Sequence, residues 1–238
     1  MSALPAISLV LPCYDEEIVI EKTVEDLFAV FERMGKSLEL VAVDNGSRDR
    51  TAEILLALSH RHASLVTTRV ETNRGYGNGL LAGLPLATAA WVGILCADGQ
   101  VAAEDVAALF LAAERSTEPA LFKVRRRFRR DGLKRKIVSV VYNVAMAVLF
   151  PGLGSIDVNG NPKLLPRAWL QRMDLRSRDW FLDAEILIEA RRLRLPVVEV
   201  DVVGFARGGG ASNVRASTCL EFARNILRER FSGRHRER

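Results

Sequence analysis

Long apolar runs are missing from this chain of 238 residues. A membrane-spanning helix needs roughly 18 apolar residues in succession. The longest candidate, residues 137–153, is interrupted by Ser139, Asn143 and Pro151. Residues 1–7 have neither the basic start nor the apolar core of a secretory leader. The sequence therefore predicts a cytoplasmic protein, either free or held at the inner face of the membrane.

Cysteine is also scarce, with three residues at irregular spacing. They form neither a disulfide framework nor a zinc motif, which leaves reduced thiols as the interpretation. Hydrophobic residues make up 49% of the chain and charged residues 26%, a composition that supports a globular core. We predict a single domain over residues 1–231, followed by a basic, disordered tail at 232–238.

Positive charge is concentrated in one segment, although the net charge of the chain is only +5. Residues 123–136 contain nine Lys or Arg residues and a single acid, Asp131. Such a segment favours a polyanion, a phosphorylated ligand or an acidic membrane surface. It contains one aromatic residue, Phe128, and no recognised nucleic-acid motif, so we do not expect nucleic acid as a partner.

Apolar runs typical of strands alternate with segments of helical spacing in the first half of the chain. This order predicts an α/β fold with a mostly parallel central sheet and helices on both faces. After residue 116 the order changes, and residues 155–163 are rich in turn-forming residues. The predicted strands are 7–11, 38–43, 65–70, 91–97, 120–124 and 197–203, and the predicted helices are 17–34, 51–62, 79–89, 102–115, 136–150, 180–194 and 218–231.

Polar signatures follow three of the predicted strands, at residues 11–17, 43–51 and 96–100. In open α/β sheets, ligands bind at the carboxyl ends of the strands. A glycine-rich turn at 73–79 lets the backbone approach a ligand closely, because glycine has no Cβ atom. The three signatures therefore predict one shared crevice.

Seven motifs follow one another along the chain, at 12–16, 44–51, 73–77, 96–100, 157–163, 180–185 and 207–212. In this order they resemble the motifs of the family-two glycosyltransferases of the GT-A fold. Within that group the chain is most similar to the polyprenyl-phosphate sugar synthases, and the resemblance extends over about residues 6–230.

The resemblance implies an inverting glycosyltransferase that uses a nucleotide-diphosphate sugar, with UDP or GDP as the nucleotide. The simplest acceptor is a polyprenyl phosphate. A soluble small-molecule acceptor is the second interpretation, and a nucleotide-sugar-binding protein without turnover is the third.

The resemblance places five residues near the donor nucleotide. Carboxylates there suit the N–H groups of a base or the hydroxyl groups of a ribose. The alternative is that Asp15 or Glu16 caps the following helix. The five candidates are Pro12, Tyr14, Glu16, Asp44 and Gly75.

In the family, the motif at 96–100 holds Mg²⁺ or Mn²⁺ and the diphosphate, which assigns the metal to Asp98 and Gln100 here. The first Asp of the motif is replaced by Cys96, and a thiol is a poor ligand for Mg²⁺. Three explanations stay open: the diphosphate completes the metal site, the ion is Mn²⁺, or arginines replace much of the metal's role. Cys96 as a buried small residue is compatible with all three.

Three arginines are candidate phosphate clamps, because guanidinium binds phosphate in a bidentate fork. Arg207 lies in a glycine-rich loop that can close over the diphosphate. Each of Arg126 and Arg135 can instead be a solvated surface residue.

The resemblance also suggests a catalytic set of Asp98, Asp183 and Arg207. Asp183 and Glu185 lie two residues apart on a predicted helix, so their side chains point in different directions. Asp183 then removes the acceptor proton or, for an anionic phosphate acceptor, positions it. The alternative is a salt bridge on the helix surface.

Residues 123–150 join a basic run to an apolar helix. This composition is typical of an interfacial membrane element, so peripheral membrane contact is one interpretation. A core helix with a charged lead-in is the other.

Overall fold

A computed structural model describes residues 4–126, 133–202, 224–226 and 228–229. Its centre is a seven-stranded sheet with the strand order β3-β2-β1-β4-β6-β5-β7. Within the sheet, β6 pairs antiparallel to both of its neighbours, and the other pairings are parallel. The strands are β1 (Ile7–Cys13), β2 (Leu38–Asp44), β3 (Leu65–Arg69), β4 (Trp91–Ile94), β5 (Leu121–Arg126), β6 (Lys163–Pro166) and β7 (Val197–Val202).

Seven α-helices of the described residues belong to these elements, together with a 3-10 turn at Leu84–Leu86. The turn extends α3, and the short α6 follows β6 directly. The helices are α1 (Ile20–Arg33), α2 (Thr51–Arg61), α3 (Tyr76–Gly83), α4 (Ala103–Glu114), α5 (Leu133–Leu149), α6 (Arg167–Leu170) and α7 (Leu182–Arg192).

The sheet separates two apolar cores, because successive strand residues point to opposite faces. Leu9 and Leu11 of β1 face the core that contains α1, α2 and α4. Val10, between them, faces the core that contains α3, α5 and α7. The predicted α/β architecture with helices on both faces is therefore confirmed.

Six of the seven strands were predicted at nearly their observed positions, but β6 was not. Its four residues, Lys163–Pro166, lie between the antiparallel partners β4 and β5. Only Lys163 belongs to the segment 155–163 that the sequence marks as turn-rich, and no element is predicted for residues 164–166. A strand this short has too few residues to show alternation. The predicted helix at 218–231 falls largely outside the described residues, as do the domain boundary at 231 and the tail, which stay predictions.

Candidate functional site

The carboxyl ends of β1 and β2 lie side by side, and β4 ends beside them. Cys13 is in register with Asp44, and the Asn45 N–H donates to the Cys13 carbonyl at 2.8 Å. Beyond β4, the Leu95 N–H donates to the Val10 carbonyl at 3.1 Å. The segment that follows Leu95 therefore continues alongside the end of β1. This arrangement brings the three predicted polar signatures to one edge of the sheet.

The loops after β1 and β2 hold each other through side chains. The Arg48 N–H donates to Asp15 Oδ1 at 2.8 Å, and the Glu16 N–H donates to Thr51 Oγ1 at 2.9 Å. Asp15 has a φ of 53° and caps no helix, since α1 begins without a side-chain cap. The Asp15 carboxylate thus fixes the loop. Tyr14 and Pro12 are half-buried at the same edge.

Two buried side-chain oxygens at the end of β2 lack a hydrogen bond. Asp44 is 3% exposed; its Oδ1 accepts from the Ser47 N–H at 2.9 Å, and its Oδ2 lies 3.3 Å from Arg69 Nε without forming a hydrogen bond. Asn45 donates its amide to the Gly75 carbonyl at 3.0 Å, while its Oδ1 has no hydrogen-bond donor among the described residues. Buried acceptors are normally paired, so this pair suits N–H or O–H donors of a ligand.

The glycines of the 73–77 turn lie in close contact with another backbone segment. A Cβ atom on Gly75 would meet the Arg178 carbonyl oxygen at 2.5 Å, and one on Gly77 would meet the Ser177 carbonyl oxygen at 2.3 Å. Gly75 also has a φ of 113°, a conformation that favours glycine. These glycines therefore let the turn pack against backbone at 177–179. Binding of a nucleotide by Gly75 stays a prediction.

The predicted metal ligands lie in a turn after β4. Asp98 Oδ1 accepts from the Gln100 N–H at 3.2 Å, and Gly99 between them has a φ of 66°. Asp98 and Gln100 are both half-buried. Among the described residues, no group of three His, Cys, Asp or Glu side chains is arranged to hold an ion. Two protein oxygen ligands fit a hard cation only if a bound diphosphate supplies others.

A buried polar cluster lies next to this turn. Lys163 is fully buried, and its Nζ lies 2.5 Å from Asp183 Oδ1. The Asn161 amide donates to Asp183 Oδ2 and to the Tyr76 hydroxyl, both at 3.1 Å, and lies 3.7 Å from Cys96 Sγ. Asp183 is only 1% exposed. The cluster fastens the start of α7 to the centre of the sheet.

Tyr76 links the cluster to the metal motif. Burial raises the pKa of its hydroxyl well above the usual value, and the neighbouring Asp183, Cys96 and Asp98 side chains raise it further. Its ring stacks on Trp180, with 4.5 Å between the ring centroids. Tyr76 therefore stays a neutral phenol within reach of the fields of Asp98 and Asp183. It was not among the predicted site residues, although it lies inside the glycine-rich turn.

Asp183 and Glu185 do point in different directions, as their spacing predicted. Glu185 Oε2 accepts from the backbone N–H groups of Arg176 and Ser177, at 3.0 and 2.8 Å. Burial is the main cause that raises the pKa of Glu185. Glu185 thus holds the segment that supports Gly75 and Gly77. Asp183 is buried and paired with Lys163, so it does not form the helix-surface salt bridge that is the alternative.

A second buried lysine, Lys123, organises the segment before Asn161. Its Nζ donates to the Asp157 carbonyl at 2.6 Å and to Glu199 Oε1 at 3.1 Å. The same Glu199 oxygen accepts from Ser155 Oγ at 2.6 Å. Burial is the main cause that lowers the pKa of Lys123, to about 8, and the nearby Lys163 adds to it. Nothing in the residue pattern indicates that this member of the basic segment is buried.

The three predicted phosphate clamps are not tested by these contacts. Arg207 lies outside the described residues, and so do the side chains of Arg126 and Arg135. The backbone of Arg126 ends β5 in register with Val202. Because β5 runs parallel to β4 across the intervening β6, Arg126 lies at the same edge of the sheet as Asp44. The binding of phosphate by all three arginines stays a prediction.

The chain is similar to known proteins over most of its length. The family described as glycosyl transferase family 2 matches residues 8–161. A dolichyl-phosphate beta-glucosyltransferase of Trichomonas vaginalis is 26% identical over 93% of this chain and 72% of its own length. An undecaprenyl-phosphate 4-deoxy-4-formamido-L-arabinose transferase of Photorhabdus laumondii is 30% identical over 93% of this chain, which spans 66% of that relative.

Solved structures show the same fold. Glucosyl-3-phosphoglycerate synthase from Mycobacterium tuberculosis, in complex with Mn²⁺, UDP and glucosyl-3-phosphoglycerate, aligns with a TM-score of 0.74 at 21% identity, covering 96% of this chain and 80% of that one. The same synthase with Mg²⁺ and UDP aligns with a TM-score of 0.72, again at 21% identity, over 96% of this chain and 80% of that one. With the family match, these findings confirm the predicted resemblance: the chain belongs to glycosyl transferase family 2 and is a nucleotide-sugar-dependent glycosyltransferase of the GT-A fold.

Proposed function

We propose that this enzyme transfers a sugar from a nucleotide-diphosphate sugar to a polyprenyl phosphate, with inversion at the sugar C1 atom. The observation that carries the proposal is the pair of buried oxygens without hydrogen bonds, Asp44 Oδ2 and Asn45 Oδ1, at the sheet edge to which Asp98 also belongs. The polyprenyl phosphate is supported by the relatives named dolichyl-phosphate and undecaprenyl-phosphate transferases.

The donor nucleotide binds across the ends of β1 and β2 in this proposal. The carboxylate of Asp44 and the amide oxygen of Asn45 accept hydrogen bonds from the base or the ribose. Tyr14, Glu16 and Pro12 line the same edge, and Gly75 lies beside Asn45. The nucleotide is UDP or GDP; the UDP found in the solved synthase supports the first.

A divalent cation, Mg²⁺ or Mn²⁺, belongs with the diphosphate, held by Asp98 and Gln100. When bound, it neutralises the charge that develops on the leaving nucleoside diphosphate. Cys96 adds no hard oxygen ligand, so the affinity for the cation depends strongly on the diphosphate. Arg126, Arg135 and Arg207 supply further positive charge around the phosphates.

The acceptor oxygen attacks the sugar C1 atom from the side opposite the diphosphate, and a single displacement inverts the configuration. A phosphate monoester is already an anion at neutral pH, so it requires no strong base. Asp183 is buried and paired with Lys163, which fits a positioning residue better than a base. The Asn161 amide, which also donates to the Tyr76 hydroxyl, keeps that carboxylate oriented towards the sheet.

The experiment is a panel of UDP and GDP sugars with Mg²⁺, Mn²⁺ or a chelator, read by thermal shift and by sugar transfer. A ligand at 100 times its dissociation constant stabilises the folded state by about 2.7 kcal/mol. We expect stabilisation that needs both nucleotide and cation, lost in Asp98→Ala and kept in Asp26→Ala on the exposed face of α1. Equal stabilisation in chelator would overturn the metal assignment.

The acceptor is tested with a short-chain polyprenyl phosphate and with phosphorylated small molecules such as 3-phosphoglycerate. Transfer to the polyprenyl phosphate supports the proposal. Transfer to the small molecule alone would establish the alternative acceptor class, which the synthase with the same fold suggests.

We also propose a cytoplasmic location at the inner face of a membrane, with membrane contact through residues 123–150 and no nucleic acid as a partner. Among the described residues, no helix is both long and apolar enough to span a bilayer.

A further inference from the structure

Tyr76 places a hydroxyl group between the two halves of the site. The residue begins α3 inside the glycine-rich turn, and its side chain is buried. Its ring stacks on Trp180 with an interplanar angle of 7° and belongs to the core shared with α7. Side chains in such a core are closely packed, so the hydroxyl is held in one position. The function proposed above gives this hydroxyl no task.

The hydrogen bonds around the Tyr76 hydroxyl use its oxygen rather than its proton. The oxygen accepts from the Asn161 amide at 3.1 Å, and the same amide donates to Asp183. A phenol also donates one hydrogen bond. Among the described residues, the other atom within hydrogen-bond reach of this oxygen is Cys96 Sγ, at 3.9 Å. Sulfur is a weak acceptor, so the O–H group suits a stronger acceptor that a ligand supplies.

The surroundings of the phenol keep it a donor. Burial and the neighbouring Asp183, Cys96 and Asp98 side chains raise its pKa well above the usual value. At neutral pH the phenol therefore keeps its proton and does not act as a base. A neutral O–H group of this kind matches an oxygen atom that accepts a hydrogen bond.

The position of the hydroxyl indicates which part of the substrate it meets. On one side lies Cys96, which belongs to the motif at 96–100 where the proposed function places the cation and the diphosphate. On the other side, Asn161 connects the hydroxyl to Asp183, which the proposed function assigns to the acceptor. In a single displacement, the transferred sugar lies between the leaving diphosphate and the attacking oxygen. A group between these two parts of the site therefore faces the sugar.

We propose that Tyr76 is a sugar-recognition residue, whose hydroxyl donates a hydrogen bond to a hydroxyl oxygen of the donor's sugar. This inference rests on the proposed placement of the diphosphate at Asp98. A site that hydrogen-bonds a substrate hydroxyl rejects an analogue that lacks it, because the buried O–H group then loses its acceptor. Tyr76 thereby selects among nucleotide sugars that share one nucleotide.

The first test is calorimetric titration of the unchanged protein and Tyr76→Phe with UDP and with UDP-glucose, both in Mn²⁺. If the nucleotide panel selects guanosine, GDP and GDP-mannose take their place. Phenylalanine keeps the stacked ring and removes only the hydroxyl. We expect UDP-glucose to bind Tyr76→Phe about fivefold more weakly, and UDP to bind both proteins equally. The matched control is Tyr142→Phe, which removes another buried hydroxyl of the same core and should bind both ligands like the unchanged protein.

A second test begins with the unchanged protein alone. UDP-glucose analogues, in which each sugar hydroxyl in turn is replaced by hydrogen, are titrated in the same way. The analogue that lacks the contacted hydroxyl should bind about fivefold more weakly than UDP-glucose. Its affinity should be the same for Tyr76→Phe, because the two changes remove one and the same hydrogen bond. In transfer assays, kcat/KM for the intact donor should fall by a similar factor, with KM for the acceptor unchanged.

Other outcomes overturn the inference. Equal losses of UDP and UDP-glucose affinity in Tyr76→Phe would place the hydroxyl on the diphosphate or give it a structural role. Unchanged affinity for both ligands would remove Tyr76 from the site, and the same loss in Tyr142→Phe would show a general effect of core packing. Transfer to a water-soluble acceptor alone, with the loss of sugar affinity in Tyr76→Phe as expected, would count against the proposed function only.

Discussion

At the scale of single residues, Cys96 stands where the resembled motif has its first Asp, so this position bears directly on the proposed cation site. The thiol is half-buried, 3.9 Å from the Tyr76 hydroxyl and 3.7 Å from the Asn161 amide. Both neighbours are protein groups, so the sulfur faces protein beside the motif at 96–100. A small polar side chain would fill the same space, and the replacement of the family's Asp affects this position alone.

Restoring the carboxylate should restore a metal ligand. In Cys96→Asp we expect Mn²⁺ or Mg²⁺ with UDP to bind about tenfold more tightly than in the unchanged protein, because a hard oxygen ligand is added. In chelator the same variant should melt at a lower temperature, since the new carboxylate lies near Asp98 and Asp183. Thermal shift with and without the cation measures both effects.

The control for this change is Cys96→Ser, which has a similar size and adds no charge, and which should not tighten the cation. If Cys96→Asp binds the cation no better than Cys96→Ser, position 96 does not face the metal. Sequence alone identified the missing Asp. It could not predict the neighbours of Cys96, because Asn161 and Tyr76 reach it from distant parts of the chain.

At the scale of elements, the ion pair between β6 and α7 connects the second half of the fold to the first. The sequence predicted α7 and assigned Asp183 to the site. It did not predict that Lys163 begins a strand, since β6 is four residues long and lies between two antiparallel partners. Antiparallel pairing on both sides depends on β4 and β5, which are distant in the sequence. The local residue pattern therefore does not indicate it.

Breaking this pair should destabilise the fold as well as alter activity. Asp183→Asn leaves the fully buried Lys163 ammonium without its counter-ion, which costs about 3–5 kcal/mol. By comparison, Glu53→Gln breaks an ion pair with Arg50 whose side chains are 74% and 76% exposed, and should cost at most about 1 kcal/mol. Chemical denaturation measures both, with the transfer rate recorded on the folded fraction.

The double variant Lys163→Met/Asp183→Asn distinguishes a positioning role of Asp183 from a catalytic one. A gain in stability over Asp183→Asn, together with recovered transfer, supports a positioning role for Asp183. Recovered stability with transfer still abolished would instead make Asp183 a catalytic residue. Wild-type stability in Asp183→Asn would show that the pair does not fasten α7 to the sheet.

At the scale of the whole molecule, the parallel half of the sheet and its two helical layers follow directly from the sequence. Apolar runs of five to seven residues, each followed by an amphipathic segment, leave few other architectures. The charge distribution was predicted less well. Two basic residues, Lys123 and Lys163, are opposite each other on β5 and β6 and fully buried. Their burial depends on Glu199 and Asp183, which lie far along the chain.

The burial of Lys123 makes the stability of the molecule depend on pH. Its pKa in the folded protein is about 8, below the value of about 10.4 in an unfolded chain. Between these values the unfolded state binds more protons, so the contribution of Lys123 to the free energy of unfolding rises with pH. The charged groups facing it are Lys163, which lowers the pKa, and Glu199 and Asp157, which raise it.

We expect the difference in unfolding free energy between the unchanged protein and Lys123→Met to increase from pH 8 to pH 10, by an amount on the order of 2 kcal/mol. Urea titrations of both proteins at several pH values measure this difference. The contributions of the other titrating groups are common to both proteins and cancel. A difference that stays flat or falls over this range would mean that Lys123 is solvated, and that the Asp157 turn is held by other contacts.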